Sequence, residues 1–392
     1  MARARRYHRA LYWAGAASLG IDAAALALFA WTRVGDFLDP SSLPWWARTL
    51  AYSALVVVVI GLVQTPLALW SGLLRERRWG FSTQRLLDWA VDRAKAVSVN
   101  TVLTALLLLG LVALGRALRG WWVVPAAAAA ALAVLLLSFL APVVLEPLFN
   151  RYAPLADDAL ARQLRGLAER AGVPIREVLV QDMSRRTRKA NAYVSGLGKT
   201  RRIVVADTLL EQATPAEVQV VVAHELGHQR QQHVLLGTLL SMAAISTATV
   251  TVWALLGTTI TNPHRLPLVL LIGLALTLLS LPALTALSRR WERVADRHSL
   301  HLTADAAAYE QAFRRLARTN LTDLDPPRLI YLFLSTHPTP AERLAASTSS
   351  DDSRGLGSAG FERHDRVERR AAWRRSTTHS RWTRHLQSSS HT

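Results

Sequence analysis

Six stretches of this chain are apolar for about the length that spans a bilayer, and that limits it to folds in which each stretch closes its own backbone hydrogen bonds. They fall at about 11–31, 51–70, 99–118, 122–145, 234–256 and 266–287. Each is read as a helix. The fifth is diluted by Ser241, Ser246, Thr247, Thr249 and Thr251, and either spans the membrane or lines a cavity inside the protein. Asp22, within the first stretch, is costly in lipid and is expected to face other helices. The basic start MARARRYHRA resembles that of a secretory signal, but such a signal has a shorter apolar part ending at small residues, so an uncleaved anchor is expected.

The formal net charge of +18 would raise nucleic-acid binding in a soluble protein. Here much of the excess borders the apolar blocks or lies in a polar tail, where Arg and Lys mark the cytoplasmic side of membrane proteins. Nucleic acid is therefore set aside as a partner. Four arginines precede the first span and the loop RERRWGFSTQRLLDWAVDRAK is basic, whereas residues 35–43 carry two aspartates and no base. The positive-inside rule then puts the N-terminus, the central polar region and the C-terminus in the cytoplasm of a multi-pass cell-membrane protein. Arg116 and Arg119 argue the other way but are outnumbered. Only Lys95, Lys189 and Lys199 are lysines among 46 basic residues, a bias that fits a GC-rich bacterial gene. With no cysteine, any metal must be held by histidine and carboxylate.

The central region, about 146–232, reads as folded α+β structure. A helix over 156–171 has apolar spacing at Leu160, Leu164, Leu167 and Ala168 and is closed by Gly172. Strand-like runs follow at 177–181, 190–195 and 202–206, with Gly196 and Gly198 marking a hairpin between the last two. Thr214-Pro215-Ala216-Glu217 is a capping box with proline at the first helical position.

The helix it starts contains His224-Glu225-Leu226-Gly227-His228, an HExxH sequence. Residues four apart share a helical face, so both imidazoles can reach one ion. Glu225 lies about 100° round the helix, suited to a general base acting on water. Gly227 allows another backbone to approach closely. A chance match is the alternative, since only three positions are fixed. The third ligand sets the subclass. Gln231 and Val234 stand where the metzincin pattern needs Gly and His, which excludes it, and His233 reads as a solvated helix residue. Just past the sixth span, SRRWERVADRHSL carries Glu292 and Asp296 four apart. A two-His, one-Glu site with Asp296 orienting a histidine would use them, and zinc suits that donor set best. An ordinary charged surface helix is the alternative reading.

HELGH, the later Glu292, Ala295 and Asp296, and NAYVSGLGKTRRIVVADTLL together resemble the type I CAAX prenyl proteases and their bacterial relatives. EPLFNRYAPL, QDMSRR and HPTPAERL fit as well, so the resemblance covers about 146–344 plus the span layout. It implies a zinc endopeptidase site enclosed by membrane helices, one Zn²⁺ per chain, with substrate added as a strand along NAYVSG. Residue by residue it implies His224, His228 and Glu292 as ligands, Glu225 as base, Asp296 as supporting acid, His337 and Arg343 as oxyanion stabilisers, and Asn191 on the substrate backbone. Six spans depart from the seven of the eukaryotic members, and the basic tail extends beyond the resembling part.

The expected fold class is mainly α: about six polytopic membrane helices with an inserted cytoplasmic α+β zinc-peptidase domain. The expected division is 1–145 with four spans, 146–346 as the peptidase interrupted by two spans, and a basic disordered tail over 347–392. The expected activity is hydrolysis of peptide bonds in membrane-associated peptides or proteins, with the lipid bilayer as the other partner. Either prenylated CAAX ends or damaged membrane proteins, as for HtpX-type quality-control proteases, would be substrates. A non-catalytic transporter or scaffold is the reading from a different class, and it leaves HExxH unexplained.

Overall fold

The computed structural model describes residues 2–196 and 198–345; the tail read as disordered, with Trp373 and Trp382, lies outside the described residues. Among the described residues six helices are long and apolar enough to cross a membrane. They are α1 (Ala2–Trp31), α2 (Trp45–Arg78), α3 (Leu86–Trp121), α4 (Val123–Phe149), α7 (His233–Thr261) and α8 (Pro263–Thr303). Each outruns its apolar stretch at one end or both.

Several polar groups within these helices find partners inside the protein. Asp22 accepts from Gln64 Nε2 at 2.7 Å, as expected of a carboxylate that must face other helices. Both line a cavity of about 670 Å³ between α1, α2, α3 and α8. The hydroxyls that dilute the fifth span, those of Ser241, Thr247, Thr249 and Thr251, each donate to the carbonyl one turn back. That bond satisfies a hydroxyl without water, so a threonine-rich segment can still span a membrane as a helix.

Between α4 and α7 lies the α+β part. Helix α5 (Asp158–Arg170) and helix α6 (Pro215–Arg230) flank a four-stranded sheet of β1 (Tyr152–Pro154), β2 (Glu177–Gln181), β3 (Ala192–Ser195) and β4 (Arg202–Ala206). The strand order is β1-β2-β4-β3, with β2 and β4 parallel and the other pairs antiparallel. The three expected strands are present, and β3 is two residues shorter than its apolar run. The hairpin turns at Gly196, whose φ of +90° and 2.6 Å approach of a built Cβ to Thr200 O exclude a side chain. β1 has no apolar alternation and was not legible as a strand.

The core of this part joins Leu164 and Leu167 of α5, Ile203 and Val205 of β4, and Val218, Val222 and Leu226 of α6. It also takes in Tyr309 and Phe313 from α9 (Ala306–Thr319). The sheet therefore presses one side of α6, which leaves the other side for α8. Residues Met1–Arg343 pack as one compact unit.

Candidate metal centre

Helix α6 begins at the expected capping box. Thr214 Oγ1 accepts from the Glu217 N–H at 3.4 Å, and Glu217 Oε2 accepts from the Thr214 N–H at 2.7 Å. Arg315 Nε donates to the same carboxylate at 2.9 Å. Burial alone would raise the Glu217 carboxyl, but the Thr214 N–H and the Arg315 charge outweigh it and hold it below the usual carboxylate range. The start of the motif helix is thus fixed from outside the helix.

Further along, α6 meets α8. A Cβ built on Gly227 would lie 3.1 Å from Ala295 Cα and 3.2 Å from His298 Cβ, so the glycine sets how closely the helices approach. Ser299 Oγ donates to the Val220 carbonyl at 2.8 Å and fixes their relative slide. Glu292, which the sequence puts just past a span, lies within the single α-helix Leu266–Thr303. No loop intervenes between the membrane and the carboxylate.

The contact brings three donors together. His224 Nε2 and His228 Nε2 are 3.2 Å apart. Glu292 Oε2 is 3.2 Å from His224 Nε2, and Oε1 is 3.2 Å from His228 Nε2. These residues form a group able to hold a metal ion. Tetrahedral sites with ligand bonds of about 2.0–2.1 Å separate their donors by about 3.3 Å, so the spacing fits zinc. Glu292 Oε2 is buried and lacks a well-directed hydrogen bond, although His337 Nδ1 lies 2.7 Å away. A buried carboxylate oxygen left in that state fits a cation better than a hydrogen-bonded site.

Around the donors stands a second layer. Asp296 Oδ1 is 2.9 Å from His224 Nδ1, the arrangement that fixes an imidazole with its other nitrogen facing the cluster. Arg343 grips Asp296 through Nη2 and through Nε at 3.0 Å, and its guanidinium lies 3.8 Å over the Phe313 ring. Its Nη2 is also 3.2 Å from His224 Nδ1, so Arg343 stands behind that imidazole. His337 is on the open side, 61% exposed, in the loop ahead of a capped turn in which Thr339 and Glu342 bond reciprocally. The Glu225 carboxylate makes no hydrogen bond among the described residues. Burial raises its carboxyl above the usual range against the charges of His224 and His228.

Seven expected residues therefore meet in one place. Asn191 stands apart: it is exposed just ahead of β3, and its carbonyl accepts from the Ala206 N–H at 3.0 Å. β3 ends the sheet on its Asn191 side and is tied to the motif helix where Gln229 Nε2 donates to Val194 O at 3.3 Å.

One reading is corrected. His233 is not a solvated helix residue but 8% exposed, with Nδ1 3.0 Å from His228 Nδ1. Helix α6 stops at Arg230, and Gln232 adopts φ +56°, so His233 opens a new helix with its ring turned back toward the motif. Helical periodicity run through QRQQH hides that break.

Six helices able to span a membrane, together with a cluster of two histidines and a glutamate, define a polytopic membrane protein of metallopeptidase type. Comparisons agree with that class. A family model described as Peptidase family M48 matches residues 154–350, and one described as CAAX prenyl protease N-terminal, five membrane helices, matches residues 1–151. This chain has four spans in that N-terminal part among the described residues. A Bacillus subtilis protein described as the uncharacterized metalloprotease YhfN is 30% identical over 310 residues, 76% of this chain and 72% of its own length. CAAX prenyl protease 1 of Saccharomyces cerevisiae is 28% identical over 48% of this chain, and its Arabidopsis thaliana homolog is 29% identical over 47%. Those matches take in 42% and 44% of the yeast and plant proteins, less than half of their length. The crystal structure of S. mikatae Ste24p superposes with a TM-score of 0.70 at 22% identity, over 88% of this chain and 87% of that one, and shares the fold. The chain belongs to peptidase family M48.

Proposed function

We propose that this protein is a zinc endopeptidase that cleaves peptide bonds in membrane-associated chains at the cytoplasmic face. The observation that carries the reading is the group of His224, His228 and Glu292 with Glu225 next to it on the same helix. His224 Nε2, His228 Nε2 and a Glu292 oxygen would hold the metal. A zinc ion held there supplies a Lewis acid and makes a nearby water acidic.

In this reading Glu225 takes a proton from water as the water oxygen bonds to the scissile carbonyl carbon. It returns the proton to the amine nitrogen as the C–N bond breaks. His337, exposed at the open side, donates to the carbonyl oxygen as it gains charge. Asp296 holds the His224 ring, and Arg343 neutralises Asp296 from behind, so both are taken as positioning residues, Arg343 in place of the oxyanion role that the resemblance implies for it. Substrate backbone adds to the outer edge of β3, displacing Gln229 from the Val194 carbonyl, with Asn191 binding it at the strand entry.

The yeast and plant relatives are named as CAAX prenyl proteases, while the Bacillus metalloprotease carries no substrate in its description. The shared requirement is a substrate anchored in or at the bilayer, lipidated or spanning. Metal analysis of the purified protein, with proteolysis of a general peptide by wild type and Glu225→Gln, tests the proposal. One zinc per chain in both and turnover only in wild type is expected. Undiminished turnover in Glu225→Gln would overturn it.

A further inference from the structure

We infer that His233 orients the imidazole of His228 for metal binding, as Asp296 orients that of His224, and that stacking on Trp291 holds the His233 ring for that task. The inference rests on the metal reading above. Its three observations are separate from the donor cluster itself.

The first is the bond. Nδ1 of His228 and Nδ1 of His233 are 3.0 Å apart, close enough to share one proton and too close for two. His228 turns Nε2 toward His224 and Glu292, and a ligating nitrogen carries no proton. The His228 proton is then on Nδ1, which donates. His233 Nδ1 accepts, and the proton of His233 is on Nε2.

Packing supplies the second observation. The His233 ring lies parallel to the Trp291 indole, with centroids 4.9 Å apart and planes 10° from parallel. Trp291 immediately precedes Glu292, so the residue that steadies the orienting ring is adjacent to the third ligand. His233 is 8% exposed and cannot turn to solvent without breaking this stack.

The third is backbone geometry. Gln232 has φ +56° and ψ +29°, a left-handed conformation that a non-glycine residue adopts only when its surroundings require it. That turn brings His233 back over His228 instead of continuing α6 into the fifth span. A junction whose sole task was to start a membrane helix would accept glycine at the turn and any apolar residue after it.

The two histidine ligands are therefore backed unequally. His224 faces a carboxylate, itself paired with Arg343, whereas His228 faces a second imidazole. A carboxylate makes its histidine the more basic donor, so His224 is the stronger of the two imidazole ligands.

The test uses the full chain in detergent, with zinc affinity from chelator competition and the melting temperature of the metal-free protein. His233→Phe keeps an aromatic ring for Trp291 and removes the acceptor. His233→Asn keeps an acceptor near the Nδ1 position and removes the ring. We expect His233→Phe to weaken zinc binding about 10–100-fold, the usual effect of losing such a partner, with the metal-free melting temperature unchanged. His233→Asn should recover most of that loss. Wild-type zinc affinity in His233→Phe overturns the inference, as does an equal loss in both variants accompanied by a lowered metal-free melting temperature. Should His233→Phe fail to fold, Trp291→Leu decides: weaker zinc binding supports the inference and unchanged binding overturns it. His228→Ala separates this inference from the reading beneath it. Zinc retained there removes the metal site itself, whereas zinc lost there but fully kept in His233→Phe removes only the role of His233.

Discussion

Gly227 and Ala295 are in backbone contact across two helices, and a methyl group on the glycine would come within 3.1 Å of the alanine Cα. Gly227 lies between the two motif histidines, and Ala295 is one residue before Asp296. Their separation therefore sets the distance between the histidine pair and the glutamate. Gly227→Ala should cost about 1–3 kcal/mol through overpacking and move Glu292 away from both imidazoles. Lowered zinc occupancy together with a lower melting temperature is the expected result, read on one preparation by metal analysis and thermal unfolding. Wild-type occupancy would mean that α8 shifts without cost.

Base and ligand should separate cleanly. Glu225→Gln is expected to keep its zinc and lose about 10²–10⁴ in kcat, the usual contribution of a general base. His228→Ala and treatment with a strong chelator should each remove both metal and activity. Steady-state kinetics beside metal analysis read the difference, and activity restored by added zinc would complete the chelator arm.

His337 and Arg343 should fail differently. His337 is exposed at the open side, so His337→Ala is expected to lower kcat about 10²–10³-fold at unchanged melting temperature. Arg343→Ala leaves Asp296 buried without its cation and should cost about 3–5 kcal/mol with a loss of zinc. Equal stability losses in the two variants would contradict this division.

Acid should weaken the start of the motif helix through Glu217. Its folded value is depressed, so its stabilisation is complete above the unfolded value of about 4.3 and disappears as pH falls through the folded one. Glu217→Gln should lower stability by about 1–3 kcal/mol at neutral pH, with the gap to wild type closing below about pH 4. Melting curves of both proteins across that range check the sign.

Orientation is testable in intact cells. Labels added outside should reach cysteines placed at Ser42 or Thr259 and not one placed at Ser184, beside the sheet. External labelling at residue 184 would reverse the proposed side of catalysis.

Much of the fold was legible because it is written in long or chemically specific signals. The six spans are runs of apolar residues, and the capping box at Thr214 and the histidine spacing are local to one helix. Gly227 was readable as a close approach, though its partner was not. What remained hidden depends on residues far apart in the chain. The parallel pairing of β2 with β4 joins runs separated by the length of a strand and a hairpin, and no local pattern encodes it. Arg343 in contact with Asp296 spans 47 residues, and its place behind His224 followed only from the folded chain. His233 was misread because a left-handed glutamine, not glycine or proline, breaks the helix before it.

Glu292 lies five residues beyond the last apolar position of its span, Leu287, on an unbroken helix. At 1.5 Å per residue that is about 7.5 Å along the axis, which on the proposed function, with Leu287 at the edge of the hydrocarbon, is the depth of the lipid headgroups. Water reaches that layer, so hydrolysis has its reactant. A globular cytosolic protein cannot lower a folded loop into it, whereas a chain tethered by an acyl or prenyl group, or half withdrawn from the bilayer, is already there. On the proposed function, depth would select among substrates before any side-chain pocket does.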